Sequence, residues 1–511
     1  MSIINGYRKL KGNDNLDYII SLKSKILDKK IIVNNNDFSK FVFDTNKENL
    51  SNFLTQGIFC KLILVKEFNE KILLNIGNGI KFSIPIPDKW LEIIRSEKIQ
   101  ISKFNLKKQY IILCLISLTS GILYGIKKIY FNKYFNNKEP YIYFSNLSHS
   151  GLPLNKYQSF DTVSWFLKYF PFKKKINYIF HNLKNDKISL ENYNIEKINN
   201  LFNLNLLILL FKFTPWFIFS ALISFLNIFR KNGYEAIFFK NAIDLKLSQL
   251  CKQNFENSYF FFNNSSSIFR DLWTYNIEKN RGNVFFYFYS INNYPISKNK
   301  QKFSLWRNMT WNNYLSWNKF HSEFLINANI NRPNILCLGP IWNSGSKKEF
   351  IESCKYIVAF DITPLNDIDR MTLALGNEFV TTDQLIYFIK DIYEVCKKNN
   401  LKLILKSKKV ISEKLNKNYF DFIKIMKQDT ENFSFLDSEF SSIDVIKNSA
   451  GVISFPFTST AHQAKTFDKP SIFYESTGYI KENSIESNGI KTIIGINKLS
   501  NWIKDIVNEK S

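Results

Sequence analysis

From residue 257 the chain alternates short, continuous apolar runs with amphipathic stretches. NSYFFFNN reads as a strand, SSSIFRDLWTYNIEKNRG as a capped helix closing at Gly282, and NVFFYFYS as a second strand, together one β-α-β unit. A second series follows Asn331-Arg332-Pro333. It runs NILCLGP (334–340), KYIVAFDITP (355–364), a helix over 382–398, LKLILKSKK (401–409), FSFLD (433–437), the helix SSIDVIKNSA, GVISF (451–455), a helix opening at Thr458, and PSIFYE (470–475). Strands written as unbroken apolar runs are buried on both faces, which calls for helices on both sides of a parallel sheet. The predicted fold class is α/β with two Rossmann-like domains.

The first half is patterned differently. Residues 109–126 carry no charge and are bracketed by Lys107-Lys108 and Lys127-Lys128, while 198–229 hold one charge, Lys212, and a central Pro215. A membrane span needs about 20 apolar residues, so the first is short and the second reads as a broken span or a helix-Pro-helix hairpin. The segment between them contains the strand-like YIYFS and the amphipathic QSFDTVSWFLKYF, which belong to a globular domain. Two apolar helices lying in the membrane surface, with flanking lysines at the headgroups, keep that segment with its domain; burial of both as core helices is the alternative. Residues 1–105 form an N-terminal subdomain in which IFCKLILV and EKILLNIG could be strands and IPIPDKWLEIIRSEKI is a Pro-initiated helix. The expected division is 1–105, an acceptor-side α/β domain at 106–332 that carries both apolar segments, and a donor domain at 333–511.

Composition narrows the class. In 511 residues, 45% hydrophobic and 22% charged, with Gly 17 and Pro 12, disorder and collagen-like repeats are excluded. The net charge of +25 suggests nucleic acid, but only eight of the 69 basic residues are arginine, the preferred reader of phosphates and bases, so no nucleic-acid partner is expected. Cys60, Cys114, Cys251, Cys337, Cys354 and Cys396 contain no CxxC pair and read as reduced core residues. MSIINGYRKLKGNDN lacks the apolar region of a secretion signal, so the bulk of the chain is expected to stay in the cytoplasm.

Ligands of open parallel sheets bind beyond the carboxyl ends of the strands. After GVISF stand Pro456-Phe457-Thr458-Ser459-Thr460-Ala461-His462, three hydroxyls at a helix start with no acid in the turn, where free amides suit a phosphate. Lys406 and Lys408 after LKLIL could neutralise a diphosphate. Gly339 after NILCL permits close approach, Asp361 ends YIVAF, and Glu475 ends PSIFY where a carboxylate can meet ribose hydroxyls. For a general base, His149 in the loop NLSHSGLP ranks first and Asp271, at the start of the helix after FFFNN, second. No metal-ligand cluster is expected.

The stretch SFPFTSTAHQAKTFDKPSIFYESTGY (454–479), and the passage from WNNYLSWNKFH (311–321) into NRPNILCLGPI, resemble GT-B fold glycosyltransferases of bacterial surface-polysaccharide biosynthesis. The resemblance covers 257–480. It implies a GT-B-like pair of domains, a donor diphosphate at Thr458, Ser459 and Thr460, and a ribose at Glu475. Many of that family carry an acid in the helix after the turn, where this chain has His462-Gln463. GT-B transfer needs no metal, so the expected cofactor is none, with a nucleotide-sugar donor as co-substrate. The expectation is a metal-independent transferase using a lipid-linked or glycan acceptor, peripheral or monotopic at the cytoplasmic side of the inner membrane. A CDP-linked polyol-phosphate transferase and an inactive scaffold of the same fold are the alternatives.

Overall fold

The computed structural model describes residues 14–508 apart from 33–36, 132–138, 148–150, 154–160, 184–187, 191–192, 199–200, 203, 230–232, 252–254, 264–268, 289, 291–307, 329–331, 342–349, 351, 353–354, 365–380, 408–411, 414–415, 479, 481 and 483–486. Its centre is a pair of parallel sheets. The first contains β1 (Tyr141–Phe144), β2 (Tyr178–His181), β3 (Ile188–Leu190), β4 (Tyr193–Lys197), β5 (Tyr259–Asn263), β6 (Asn283–Tyr287), β7 (Asn313–Ser316) and β8 (Asn334–Cys337), in the order β3-β4-β2-β1-β5-β6-β7-β8. All neighbours are parallel except the β3/β4 hairpin. The second contains β9 (Tyr356–Phe360), β10 (Lys402–Lys406), β11 (Phe433–Leu436), β12 (Gly451–Ser454), β13 (Ser471–Glu475) and β14 (Lys491–Ile494), all parallel, in the order β11-β10-β9-β12-β13-β14. Numbered along the chain, the parallel strands of both sheets follow 3-2-1-4-5-6, the dinucleotide-binding order, with β8 added to the first. The order reverses between β1 and β5, and between β9 and β12.

Among the described residues the first sheet is preceded by α1 (Asp14–Leu27), α2 (Asp37–Val42), α3 (Lys47–Ile58), α4 (Lys66–Asn78) and α5 (Asp88–Ser96), and then by a longer helix. The 28-residue α6 (Lys103–Tyr130) leads into β1, and α7 (Thr162–Tyr169) connects β1 to β2, capped by Asp161, which accepts from the Ser164 amide at 2.7 Å. Between β4 and β5 lie the apolar α8 (Leu206–Ile228), α9 (Tyr234–Ile237) and α10 (Phe239–Leu250). Then come α11 (Leu272–Lys279), α12 (Lys319–Ala328), α13 (Thr382–Lys398), α14 (Lys417–Met426), α15 (Ser442–Asn448), α16 (Thr460–Lys465) and α17 (Ile496–Asn508). Each sheet is buried on both faces. Alternate residues enter opposite cores: Ile357, Ala359, Leu403 and Leu405 one, Val358, Phe360 and Ile404 the other.

Several expectations change. NILC is not the first strand of the second domain but the edge of the first sheet, paired with β7 from Asn313↔Asn334 to Ser316↔Cys337. An apolar run states that it will be a strand and not which sheet will receive it; at the edge, Cys337 is exposed rather than buried. The second sheet starts at Tyr356 and is completed by KTII, a four-residue strand absent from the sequence reading. IFCKLILV and EKILLNIG are helical: α3 runs into a π turn over Phe59–Ile63, and α4 follows. Their apolar residues are buried by packing among helices, so an unbroken run did not distinguish strand from helix. Pro215 makes no hairpin. It lies inside the continuous α8, directly after a π turn over Leu209–Phe213, and the helix runs on through it to Ile228.

Both apolar helices are two-faced. Cys114, Leu118, Gly121 and Gly125 of α6, and Phe213, Trp216, Phe217, Ser220 and Ser224 of α8, are buried. On the opposite faces Ile112, Ile116, Leu123 and Ile126, and Leu207, Phe211, Ile218, Leu222 and Phe229 are exposed, Ile116 by 65% and Phe211 by 74%. The sheet limits how these helices can lie. β1 precedes α8 and β5 follows it, yet the two strands pair directly, so the chain enters and leaves α8 on one side. Residues before α6 share a core with residues after α8, as where Phe53 meets Phe238 edge-on at 5.1 Å, so α6 is constrained likewise.

Candidate active site

The carboxyl edges of the two sheets face one another. Ser290, beyond β6, and Ser459, beyond β12, share a hydroxyl hydrogen bond of 2.7 Å. Trp317 follows β7 and stands edge-on to His462 at 6.4 Å, and the Asn318 amide donates to the Asn488 carbonyl at 3.0 Å. Gly489, at φ +81, receives the Phe320 ring so closely that a Cβ there would lie 2.4 Å from it. Residues from both strand orders therefore meet where each sheet would present a ligand.

On the second edge, β9 and β10 run in register with Phe360 opposite Lys406, so the next residue, Asp361, stands beside the Lys406 side chain. Both are buried. Asp361 Oδ2 accepts from the Tyr419 hydroxyl, and Oδ1 is buried without a partner among the described residues. Burial pushes this carboxyl up to about 7, against the Tyr419 bond and the Lys406 charge. Lys406 Nζ donates to the Ser407 carbonyl at 2.9 Å. Two strands from β9, Glu475 of β13 is buried with Oε1 accepting from the Thr477 amide at 2.8 Å and from the Thr477 hydroxyl, while Oε2 has no partner among the described residues. Two buried carboxylate oxygens thus lack donors among the described residues at one sheet edge, an arrangement a ligand's hydroxyl or N–H groups would complete.

The turn after β12 is unusual. Phe457 has φ +63, a left-handed conformation costly for any residue but glycine. Its ring is buried against Phe473 at 5.8 Å, and that burial holds the turn. The hydroxyls are partly engaged: Thr458 donates to the Phe455 carbonyl at 2.8 Å, Thr460 pairs with Ser454 at 2.7 Å, and Ser459 reaches Ser290. His462 is buried between Trp317 and Phe473, and burial lowers its pKa to about 3. It is a neutral packing group at the junction of the domains.

On the first edge, Asp271 opens α11 just beyond β5, beside the reversal point. Asn241 of α10 donates to its Oδ1 at 3.1 Å. Burial, and then the nearby Asp244, push the Asp271 carboxyl up to about 7. Asp244 is itself raised by burial, and its Oδ1 accepts from the Tyr124 hydroxyl of α6 at 2.6 Å. Tyr143, in β1, lies close enough to feel both acids. Glu278, the other acid of α11, is tied to the buried Arg270 and to Asn312.

His149 and Lys408 lie outside the described residues. Asp361, Lys406, Glu475 and Thr458 to Thr460 stand along one edge. Gly339, at φ +100, follows β8 and so belongs to the first sheet rather than to that edge. Asp244 and Tyr419 escaped the sequence reading. Asp244 repeats at helical spacing from Lys240 and Asn241 in KNAID, but one acid on an amphipathic helix normally faces water.

The profile of a family described as polysaccharide biosynthesis PFTS motif protein matches residues 216–503, a span that includes Pro456-Phe457-Thr458-Ser459. No curated protein matches the sequence. Slight likeness extends to solved structures: trehalose-6-phosphate synthase OtsA (9% identity, TM-score 0.37, covering 72% of this chain and 91% of that one), the S. aureus MnaA-UDP co-structure (9%, 0.38, 73% and 89%) and Anabaena Alr3699/HepE in complex with UDP and glucose (9%, 0.36, 73% and 91%). Likeness at that level identifies neither substrate nor reaction.

Proposed function

Since the chain belongs to the family of polysaccharide biosynthesis PFTS motif proteins, we propose that it is a GT-B-type glycosyltransferase moving a sugar from a nucleotide-linked donor to a lipid-linked acceptor. The observation that carries this reading is the opposition of two edges: an acid held near neutrality on the first, and Asp361, Lys406 and Glu475 buried on the second. The donor nucleotide sits on the second edge, where Glu475 Oε2 accepts from ribose hydroxyls and Lys406, with amides of the turn after β12, offsets the charge of the leaving diphosphate. Asp271 faces the acceptor. A base of pKa near the working pH both exists deprotonated and can take a proton from a hydroxyl as it attacks the donor carbon.

The exposed faces of α6 and α8 lie on the cytoplasmic membrane surface in this reading, since neither helix can cross without dividing a sheet or a core. The acceptor end of the site then opens beside lipid. High salt or carbonate should release part of the protein from membranes, and protease outside intact spheroplasts should leave 131–197 uncut; cleavage there would refute this placement.

The decisive experiment is a thermal-shift panel of UDP, GDP, CMP and CDP with their sugar conjugates. A nucleotide present at 100 times its Kd stabilises by about 2.7 kcal/mol. Glu475→Gln should lose that shift while keeping its own melting point close to wild type. Absence of any shift with every nucleotide would overturn the proposal.

A further inference from the structure

The carboxyl-terminal end of α6 gathers cations that the transfer reaction leaves unused. Gly121 lets the first turn of α10 lie directly on α6: a Cβ there would come 2.9 Å from the Phe239 ring and 3.3 Å from the Lys240 amide nitrogen. That approach seats the Lys240 ammonium 4.6 Å from the centre of the Tyr124 ring, which also carries the Lys128 ammonium at 5.0 Å. Lys61, 5.5 Å from the centre of the Phe238 ring, adds a third charge close enough to feel Lys240. Lys127 precedes Lys128. The facing acids are Asp244, bonded to Tyr124, and Asp271 beyond it. Even with both ionised, these four cations outnumber the two acids among the described residues. Like charges over one aromatic ring repel, and an anion placed between them removes that repulsion.

What adjoins the cluster points to the kind of anion. Leu123, Ile126 and Tyr130 are exposed on α6 around it, so an anion bound here is bordered by apolar surface on one side and by the acids of the first edge on the other. We propose that Lys61, Lys128 and Lys240 bind the phosphate of a lipid headgroup, whose chains lie along the apolar face of α6. The inference rests on the membrane-facing reading of α6 and α8. It makes the group a site selective for lipid phosphate, beyond a general attraction to anionic surfaces.

The test compares phosphatidylcholine vesicles containing phosphatidic acid with vesicles containing phosphatidylserine at equal surface charge. Wild type should bind the phosphatidic acid vesicles more tightly. The K128Q/K240Q variant should lose that preference by about five-fold per lysine, the equivalent of about 1 kcal/mol each. K107Q/K108Q, at the opposite end of α6, should retain it. Equal affinity of wild type for the two vesicles, or an undiminished preference in K128Q/K240Q, overturns the proposal. Should that double variant fail to fold, the exposed K61Q carries the same expectation. If no vesicle binds, soluble dihexanoyl phosphatidic acid must still raise the wild-type melting temperature, and no rise overturns the site. An equal rise with inorganic phosphate would make the ligand free phosphate and overturn the lipid assignment. Donor turnover is not among these readouts, so an intact lipid preference with no sugar transfer would count against the reaction alone.

Discussion

The two carboxyl edges share a strand order and differ in what the surrounding chain has built around them. The second edge is made almost entirely by its own sheet: Asp361, Lys406 and Glu475 are the last strand residues or the first beyond them, and α14 supplies Tyr419. The first edge is assembled from distant parts. Asp271 follows β5, its neighbours Asn241 and Asp244 come from α10, and Tyr124 comes from α6, 120 positions before Asp244. One topology thus makes two kinds of site. A parallel sheet presents its strand ends wherever it occurs, whereas helices inserted between strands decide what those ends meet.

Removing the acid on which the first edge centres should have the largest effect. Asp271→Asn is expected to lower sugar transfer by a factor of about 100 to 10,000 while nucleotide thermal shifts persist. Because the acid sits at about 7, wild-type turnover should rise as pH passes through 7 and the carboxyl ionises. Asp244→Asn removes the second cause of that elevation and should move the rise to lower pH. An unmoved profile would separate the two acids.

The turn on the second edge depends on packing. Phe457→Ala should cost about 3 to 5 kcal/mol in urea unfolding, as a buried Phe→Ala change does. Phe457→Gly, which relieves the left-handed backbone without restoring the ring, should recover part of it. Equal losses would show that strain is not what the ring opposes.

Next in size is the contact that fastens the two apolar helices to each other. A Cβ on Gly125 would lie 2.2 Å from the Phe217 ring, so Gly125→Ala should destabilise by about 1 to 3 kcal/mol and loosen α8 from α6. Hydrogen exchange should rise in both helices and stay unchanged in the second sheet.

The pH dependence of stability distinguishes the edges further. Asp361 keeps its proton in the folded protein up to about 7 but loses it near 3.8 when unfolded. Its contribution is therefore full below about pH 4 and is lost as pH rises through 7. Asp361→Asn has no charge to bury, so its melting temperature relative to wild type should be higher at pH 8 than at pH 5. The smallest effect is expected of Ser459→Ala, about 1 kcal/mol from one hydrogen bond to Ser290. A ten-fold loss of nucleotide affinity in that variant would instead assign the hydroxyl to the ligand.

How much of this was legible follows from what each residue depends on. NSYFFFNN, KYIVAF and GVISF announced buried parallel strands because both faces must be apolar, and the residues after them were found by position alone. KTII was missed, being four residues with a lysine and a threonine. The helical run through Phe59 was misread because burial among helices removes the polar face that periodicity needs.

Local patterning by itself determined the α/β class, the strand ends and the acids that terminate them, since those follow from side-chain burial over a few residues. Tertiary structure alone decided that NILC joins the first sheet, that α6 and α8 each bury one face and expose the other, and that Tyr124 and Asp244 stand beside Asp271. The physical reason is range: a strand's hydrophobicity is satisfied by any neighbouring strand or helix, and only the packed fold chooses which distant partner supplies it.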